Sequence, residues 1–174
     1  MLRSALNIMK TSLLLCLATL IAAPLALAAD KAVDFPKATP LVTFVLPDTW
    51  VVDLDDEGLM ATPTKDDDSV IVELSELEAG LDSLEAAVKE AKETVSEFKN
   101  MKYDEMEKGQ KDGLGIAILN AEGEDDNGKA FINLVLLAKP GAKNWILLSC
   151  ISSKEGSEKQ GPAIGAMIGS IKAK

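Results

Sequence analysis

The residues of this chain whose types suit chemistry are nearly all carboxylates grouped on turns. The first group is Asp53-x-Asp55-x-Glu57-Gly58, whose spacing resembles the beginning of an EF-hand calcium loop. Position twelve of such a loop would be Thr64, where a bidentate glutamate is required. The pattern therefore predicts no specific metal site, and the sequence alone leaves open whether the acidic turns bind calcium.

A second candidate is the carboxylate pair Glu73 and Glu76, which lies in or beside a predicted strand. Glycoside hydrolysis uses two carboxylates that face one cleft. Side chains three positions apart on a strand point to opposite faces, so these two carboxylates cannot meet. No acid–base pair can be named, and we expect no catalytic residue.

The groups used in most catalytic and cofactor sites are scarce. Beyond residue 28 the chain has no histidine, no arginine and one cysteine, Cys150. This composition excludes histidine-based nucleophilic centres, histidine zinc sites and guanidinium clamps on anions. Cys150 shares a predicted strand face with Ile146 and Leu148, so we expect it to be buried and chemically inert. The sequence thus predicts a protein that is not an enzyme and binds no cofactor.

The first 28 residues have the pattern of a cleavable Sec-type signal peptide. Arg3 and Lys10 precede a short apolar run, and Ala26-x-Ala28 fits signal peptidase. Because Met9-Lys10 would also begin a signal, the start codon stays open. Residues 29–174 would carry a net charge of −12, since all 28 acidic residues lie there and Arg3 and Lys10 do not. We predict a periplasmic or secreted protein that has no transmembrane segment after cleavage and does not bind nucleic acid.

The remaining chain is predicted to contain a flexible lead-in at 29–40 and one domain at 41–174. The lead-in is polar and has two prolines. Short apolar runs separated by Gly, Pro and Asp predict strands, and the runs after residue 113 predict a three-stranded meander. The predicted strands are 41–46, 50–54, 59–62, 70–77, 101–106, 114–122, 129–139 and 144–152.

Two helices are predicted, one in the middle of the domain and one at its end. The first has Asp82 as N-cap with Glu85 three residues on, a capping-box arrangement. The second begins at Ser157 or Gly161 and ends at Lys172. Its glycines, spaced four apart, are interpreted as allowing close approach to the sheet. The apolar stripe of the first helix is Leu84, Val88, Ala91, Val95 and Phe98.

The two last strands of the meander are apolar on both faces, which indicates that the centre of the sheet is covered on both sides by helices or a second sheet. The fold class is therefore α+β, an antiparallel β-sheet flanked by helices.

The segment Phe44-Val45-Leu46-Pro47-Asp48-Thr49-Trp50 resembles the F-x-x-P-x-x-W opening of the PsbP-like family, which includes DcrB-like exported proteins. The order of short strands, middle helix, meander and a final helix ending in Ile168-Gly169-Ser170-Ile171-Lys172 is also similar. The resemblance implies a PsbP-like α/β/α sandwich over most of residues 41–172. It further implies a binding or assembly factor without catalysis. The lipidation signal common in DcrB-type proteins is missing.

These observations favour an exported, non-enzymatic accessory protein of the periplasm or cell envelope that recognises a protein partner. A carrier of a small apolar ligand, between helix and sheet, is the alternative, and a hydrolase of unknown type is the third. The partner's identity and the oligomeric state are not determined by the sequence. An aromatic side chain beside a charged turn suits protein recognition. The candidate partner-binding edge is Pro47, Trp50, Asp53, Asp55, Asp56 and Glu57.

Overall fold

The computed structural model describes residues 30–55, 58–77, 80–142 and 144–174. The predicted signal peptide lies outside these ranges. The described residues form two antiparallel sheets and two helices. The predicted α+β class is confirmed.

The elements agree with the predicted runs over most of the domain. The bounds of the elements are β1 Lys31–Phe35, β2 Val42–Leu46, β3 Val51–Leu54, β4 Gly58–Thr62, β5 Val70–Glu76, α1 Leu84–Glu93, β6 Lys99–Tyr103, β7 Glu107–Lys111, β8 Leu114–Asp125, β9 Gly128–Ala138, β10 Ile146–Ser153, α2 Lys154–Ser170 and β11 Lys172–Ala173. The small sheet has the order β1-β2-β11, and the large sheet has the order β3-β4-β5-β10-β9-β8-β6, with β7 also paired to β8.

The segment expected to be a flexible lead-in instead contains strand β1. It pairs antiparallel with β2, and its alternate residues Val33 and Phe35 are buried, at 5% and 2% exposure. Pairing with β2 and the burial of two side chains order this segment. Contacts between neighbouring strands stabilise a strand even where its own sequence has no long apolar pattern. The chain end adds β11 to the other side of β2.

Helix α1 is capped one residue later than the sequence predicts. The Ser83 hydroxyl, not Asp82, accepts a hydrogen bond from the backbone N–H of Ala86. The helix ends at Glu93, so Val95 and Phe98 are buried from the turn that follows it. Ala87 and Ala91 are the buried positions within the helix, and they bring the α1 backbone close to the sheet.

Helix α2 begins at Lys154, earlier than predicted, with the Ser153 hydroxyl accepting from the N–H of Gly156. The glycine that approaches the sheet is Gly156, where an added Cβ would overlap the Ser69 carbonyl. Gly161, Gly165 and Gly169 have no atom within 4 Å of an added Cβ. The interpretation of these three glycines as sheet contacts was therefore wrong, because they lie on the outer side of the helix.

The centre of the large sheet is covered on both faces, as its doubly apolar strands predict. One face packs against α2 and the small sheet, in a cluster that includes Phe44, Leu148 and Met167. The other packs against α1 through Ala87, Ala91 and neighbours. Helix α1 does not cover that second face completely, and part of it is exposed at β3, β4 and β5.

Candidate functional site

The predicted edge does not form one continuous surface, because Trp50 turns inward. Its backbone N–H donates to the Pro47 carbonyl at 3.0 Å, which closes a tight turn between β2 and β3. Trp50 is 6% exposed and belongs to the core under α2 and the small sheet. Pro47 is half-buried and lies in a separate groove against Ala163 and Ala166 of α2. Trp50 thus closes the core.

Asp53 lies on the opposite side of β3 from Trp50. The register places Asp53 opposite Met60 of β4, and Met60 opposite Glu73 of β5. Asp53 and Glu73 are exposed, and Met60 is 46% exposed. The solvent-exposed side chain of Met60 on β4 thus lies between the carboxylates of Asp53 on β3 and Glu73 on β5. We call the exposed sheet surface of Val51, Asp53, Met60, Glu73 and Ser75 the open half-face.

Strand β3 is the last strand on this side of the large sheet among the described residues. The N–H of Asp55 donates to the Gly58 carbonyl at 3.1 Å. This bond shows which residues of β3 direct their backbone groups toward β4. Because inward bonds alternate along an antiparallel pair, the N–H groups of Val52 and Leu54 point away from β4. The outer edge therefore presents backbone donors beside the open half-face.

The acidic turn between β3 and β4 is stabilised by a hydrogen bond to one of its own carboxylates. The Asp55 carboxylate accepts a hydrogen bond from the Gly58 N–H at 2.9 Å. Asp53, Asp55, Met60 and Glu73 line a shallow groove of about 320 Å³. Asp56 and Glu57, which the sequence also assigns to the edge, lie outside the described residues. The structure thus brings Asp53 and Asp55 together and separates both from Trp50.

Cys150 lies in the core, as predicted. It is buried on β10 opposite Val72 of β5, in the cluster that contains Ile146 and Leu148. Burial raises the pKa of the Cys150 thiol to about 12. Within the described ranges, no group of three or more potential His, Cys, Asp or Glu metal ligands comes together.

Two apolar members of the open half-face, Val51 and Met60, were missed by the sequence analysis. They are the large hydrophobic side chains with the highest exposure in the described chain, each at 46%. The signal was present in the sequence, because both residues alternate with positions that face the core. It was hidden because neighbouring runs are apolar on both faces, so the alternation did not show which face is covered.

Comparisons with known proteins identify the fold. No family model and no curated protein matches the sequence. Several solved structures are similar. The cyanobacterial PsbP protein CyanoP of Synechocystis sp. PCC 6803 superposes with a TM-score of 0.62 at 9% identity, covering 88% of this chain and 97% of that one. The chain has the PsbP/Mog1 fold.

Two further structures support this fold. LpqN of Mycobacterium tuberculosis, described as involved in cell envelope biogenesis, has a TM-score of 0.58 at 13% identity, covering 84% of this chain and 91% of LpqN. The Ran-binding protein Mog1p of Saccharomyces cerevisiae has a TM-score of 0.53 at 12% identity, covering 82% and 94%. At these identities the PsbP/Mog1 fold is shared, and the function is not thereby assigned. In the described ranges, neither helix has both the length and the apolarity for a membrane span.

Proposed function

We propose that this protein is an exported, non-catalytic accessory factor of the periplasm or cell envelope, and that it binds a protein partner through the open half-face. The observation that carries the proposal is the row Asp53–Met60–Glu73 beside the edge of β3. It combines exposed apolar surface, two carboxylates and outward backbone donors.

The partner expected at this surface is an extended segment that carries lysine or arginine and apolar side chains. Adding a strand to an exposed sheet edge gives affinity through backbone hydrogen bonds, and side-chain contacts give specificity. The N–H groups of Val52 and Leu54 would supply the backbone bonds. Val51 and Met60 suit apolar side chains of the segment, and the carboxylates of Asp53 and Glu73 suit its cations.

The chemistry of the surface suits binding better than catalysis. Asp53 and Glu73 line a shallow, solvent-exposed groove with Met60 between them, whereas the carboxylate pair of a glycoside hydrolase flanks the scissile bond inside a cleft. The thiol of Cys150 is in the core with a raised pKa, so it is not a nucleophile at neutral pH.

Export is supported by the signal-peptide pattern of residues 1–28. The fold similarity to LpqN, which is described as acting in cell envelope biogenesis, fits this location. We expect cleavage after Ala28, so the exported protein should begin at Ala29.

Site-specific photocrosslinking in the cells that produce the protein tests the proposal. A photoreactive phenylalanine analogue replaces Val51 or Met60 and, as a control, Glu155 on α2. We expect a discrete adduct from positions 51 and 60 and none from 155. The adduct from position 60 should disappear when Asp53→Lys and Glu73→Lys are combined, whereas Glu155→Lys together with Glu158→Lys should leave it unchanged.

The backbone contribution is tested with Val52→Pro, which removes one outward N–H without removing a bond to β4. Val52→Ala is the matched control, because it loses the same side chain and keeps the N–H. We expect the proline variant alone to lose the adduct. If adducts are absent, or persist unchanged after charge reversal, the open half-face is not the binding site.

A further inference from the structure

A cavity of about 270 Å³ lies between the two sheets, at the end where β9 turns into β10. Its walls are aliphatic. Val42 from the small sheet faces Leu114, Leu137 and Ile146 from the large sheet, and each of these is at most 2% exposed. Its rim has Lys139, which is half-buried, and Asn144, which is exposed. It is separate from the open half-face, because its wall residues belong to the core on the other side of the large sheet.

The size and lining of this cavity match one hydrocarbon chain. An apolar cavity of about 150 Å³ stays dry and holds benzene, which corresponds to roughly 25 Å³ for each carbon. On that scale the cavity here holds a chain of about ten carbons. Its aliphatic walls offer such a chain no polar partner, so any polar group of a ligand must stay at the rim.

The rim has lysine side chains nearby although the protein as a whole is acidic. The Lys139 ammonium donates to the Lys174 carbonyl at 2.7 Å, and the Lys174 N–H donates to the carbonyl of the lining residue Leu41 at 2.9 Å. Lys111 is the register partner of Leu114, and its ammonium contacts the Gly169 carbonyl at the end of α2.

Two carboxylates accompany these three lysines. Asp34 pairs with Lys174 at 3.0 Å, and Asp112 follows Lys111 in the turn before β8. An ammonium has three donors, and the contact of Lys139 with the Lys174 carbonyl uses one of them. An anionic group at the rim therefore finds donors on the Lys139 ammonium.

We infer that this cavity binds the acyl chain of a single-chain anionic amphiphile, with the chain between Val42 and Leu137 and the headgroup at Lys139. A medium-chain fatty acid has this chemistry, and so does a single-chain lipid with a phosphate headgroup. This site is independent of the partner surface proposed above, so either one stands if the other fails.

Calorimetric titration of the purified protein with decanoate tests the inference. We expect saturable binding of one decanoate per chain. Butyrate should bind at least 100-fold more weakly, because each buried methylene contributes about a fourfold factor in affinity. Decyltrimethylammonium, with the same chain and the opposite charge, should bind at least tenfold more weakly than decanoate. Decyl phosphate is the second anionic probe, and its affinity relative to decanoate distinguishes a lipid phosphate from a free acid as the preferred headgroup.

Two variants locate the site. Val42→Phe fills the cavity from its wall and should abolish decanoate binding, and circular dichroism confirms that the variant is folded. Lys139→Glu changes only the rim and should weaken decanoate at least tenfold while weakening decyltrimethylammonium less. Lys102→Glu, the same charge change on β6, should leave both affinities unchanged.

Several outcomes would overturn the inference. They are the absence of decanoate binding by folded protein, binding that both Val42→Phe and Lys139→Glu leave intact, and equal affinity for the cationic probe. Sedimentation with phosphatidylglycerol vesicles, together with no binding of monomeric decanoate, would assign the lysines to a membrane surface and also overturn it. Loss of the photocrosslink at Met60 without loss of decanoate binding would separate this site from the partner surface.

Discussion

Gly156 packs directly on the backbone carbonyl of Ser69, and no side chain fits between them. This contact fixes the first turn of α2 against the start of β5, next to the hydrogen bond from the Ser153 N–H to the Ser69 carbonyl at 2.9 Å. Gly156 is thus the point at which the last helix is held to the large sheet.

Gly156→Ala should therefore lower the free energy of unfolding by about 2–4 kcal/mol, because the new methyl must displace backbone. Gly165→Ala is the matched control in the same helix, where an added Cβ meets no atom. It should raise stability by about 0.5–1 kcal/mol, as alanine does in a helix. Urea unfolding of both variants measures the difference, and equal effects would contradict the proposed contact.

Ser83 is expected to carry the N-terminal cap of α1, through the hydrogen bond that its hydroxyl accepts from the Ala86 N–H at 3.2 Å. Ser83→Ala should cost about 1 kcal/mol. Ser83→Asp keeps an acceptor at the same position and should restore most of that loss. If Ser83→Asp is as unstable as Ser83→Ala in thermal unfolding, the cap does not contribute as described.

The Cys150 thiol should react slowly while the protein is folded. Its exposure is 0%, and burial raises its pKa to about 12, so the reactive thiolate is scarce at neutral pH. A coloured disulfide reagent should label it at least 100-fold faster in denaturant than in buffer, since labelling then requires opening of the core. Rapid labelling of folded protein, or a disulfide-linked dimer, would contradict the buried position.

Asp34 should contribute to stability above its ordinary pKa and lose that contribution in acid. Hydrogen bonds from Lys174 and then Thr43 lower the pKa of Asp34 below its ordinary value of 3.8. The unfolded state therefore binds the proton more tightly, and the stabilisation falls as pH drops through the folded-state pKa. The stability difference between wild type and Asp34→Asn, measured by urea unfolding, should shrink from pH 6 to pH 2.5. A constant difference would contradict this pairing.

Met60 is expected to matter for binding and not for folding. It is 46% exposed, so Met60→Ser should change the free energy of unfolding by less than about 0.5 kcal/mol. Leu59→Ser, the adjacent residue at 3% exposure, should cost several kilocalories per mole because it puts an unsatisfied hydroxyl and a cavity into the core. Similar losses for the two variants would show that the open half-face is covered.

The order of elements was predictable where residue patterns are local. The strands from β2 to β5 and from β8 to β10 follow apolar runs bounded by Gly, Pro and Asp, and each lies within a few residues of its predicted position. Strand β7, with the sequence EKGQK, has no apolar residue and was not predicted. It forms because β8 provides backbone hydrogen bonds along five registered pairs, which no local pattern reports.

For the candidate site, too, some features were predictable from the sequence and others were not. The sequence determined that Asp53 lies in a strand with Asp55 directly after it, that Cys150 shares a face with Ile146 and Leu148, and that the meander is covered on both sides. It predicted an aromatic residue at the binding edge, and the tertiary structure instead puts Trp50 in the core, 6% exposed.

Only the tertiary structure decided which side of β3 and β4 is open to solvent and which residue of β5 joins them. Alternation separates the two faces of a strand, but it does not state which face another layer covers. That depends on where α1 ends, on α2 and the small sheet covering the opposite face, and on the register that sets Met60 between Asp53 and Glu73. These are contacts between distant parts of the chain, and their energies depend on packing that no short segment contains.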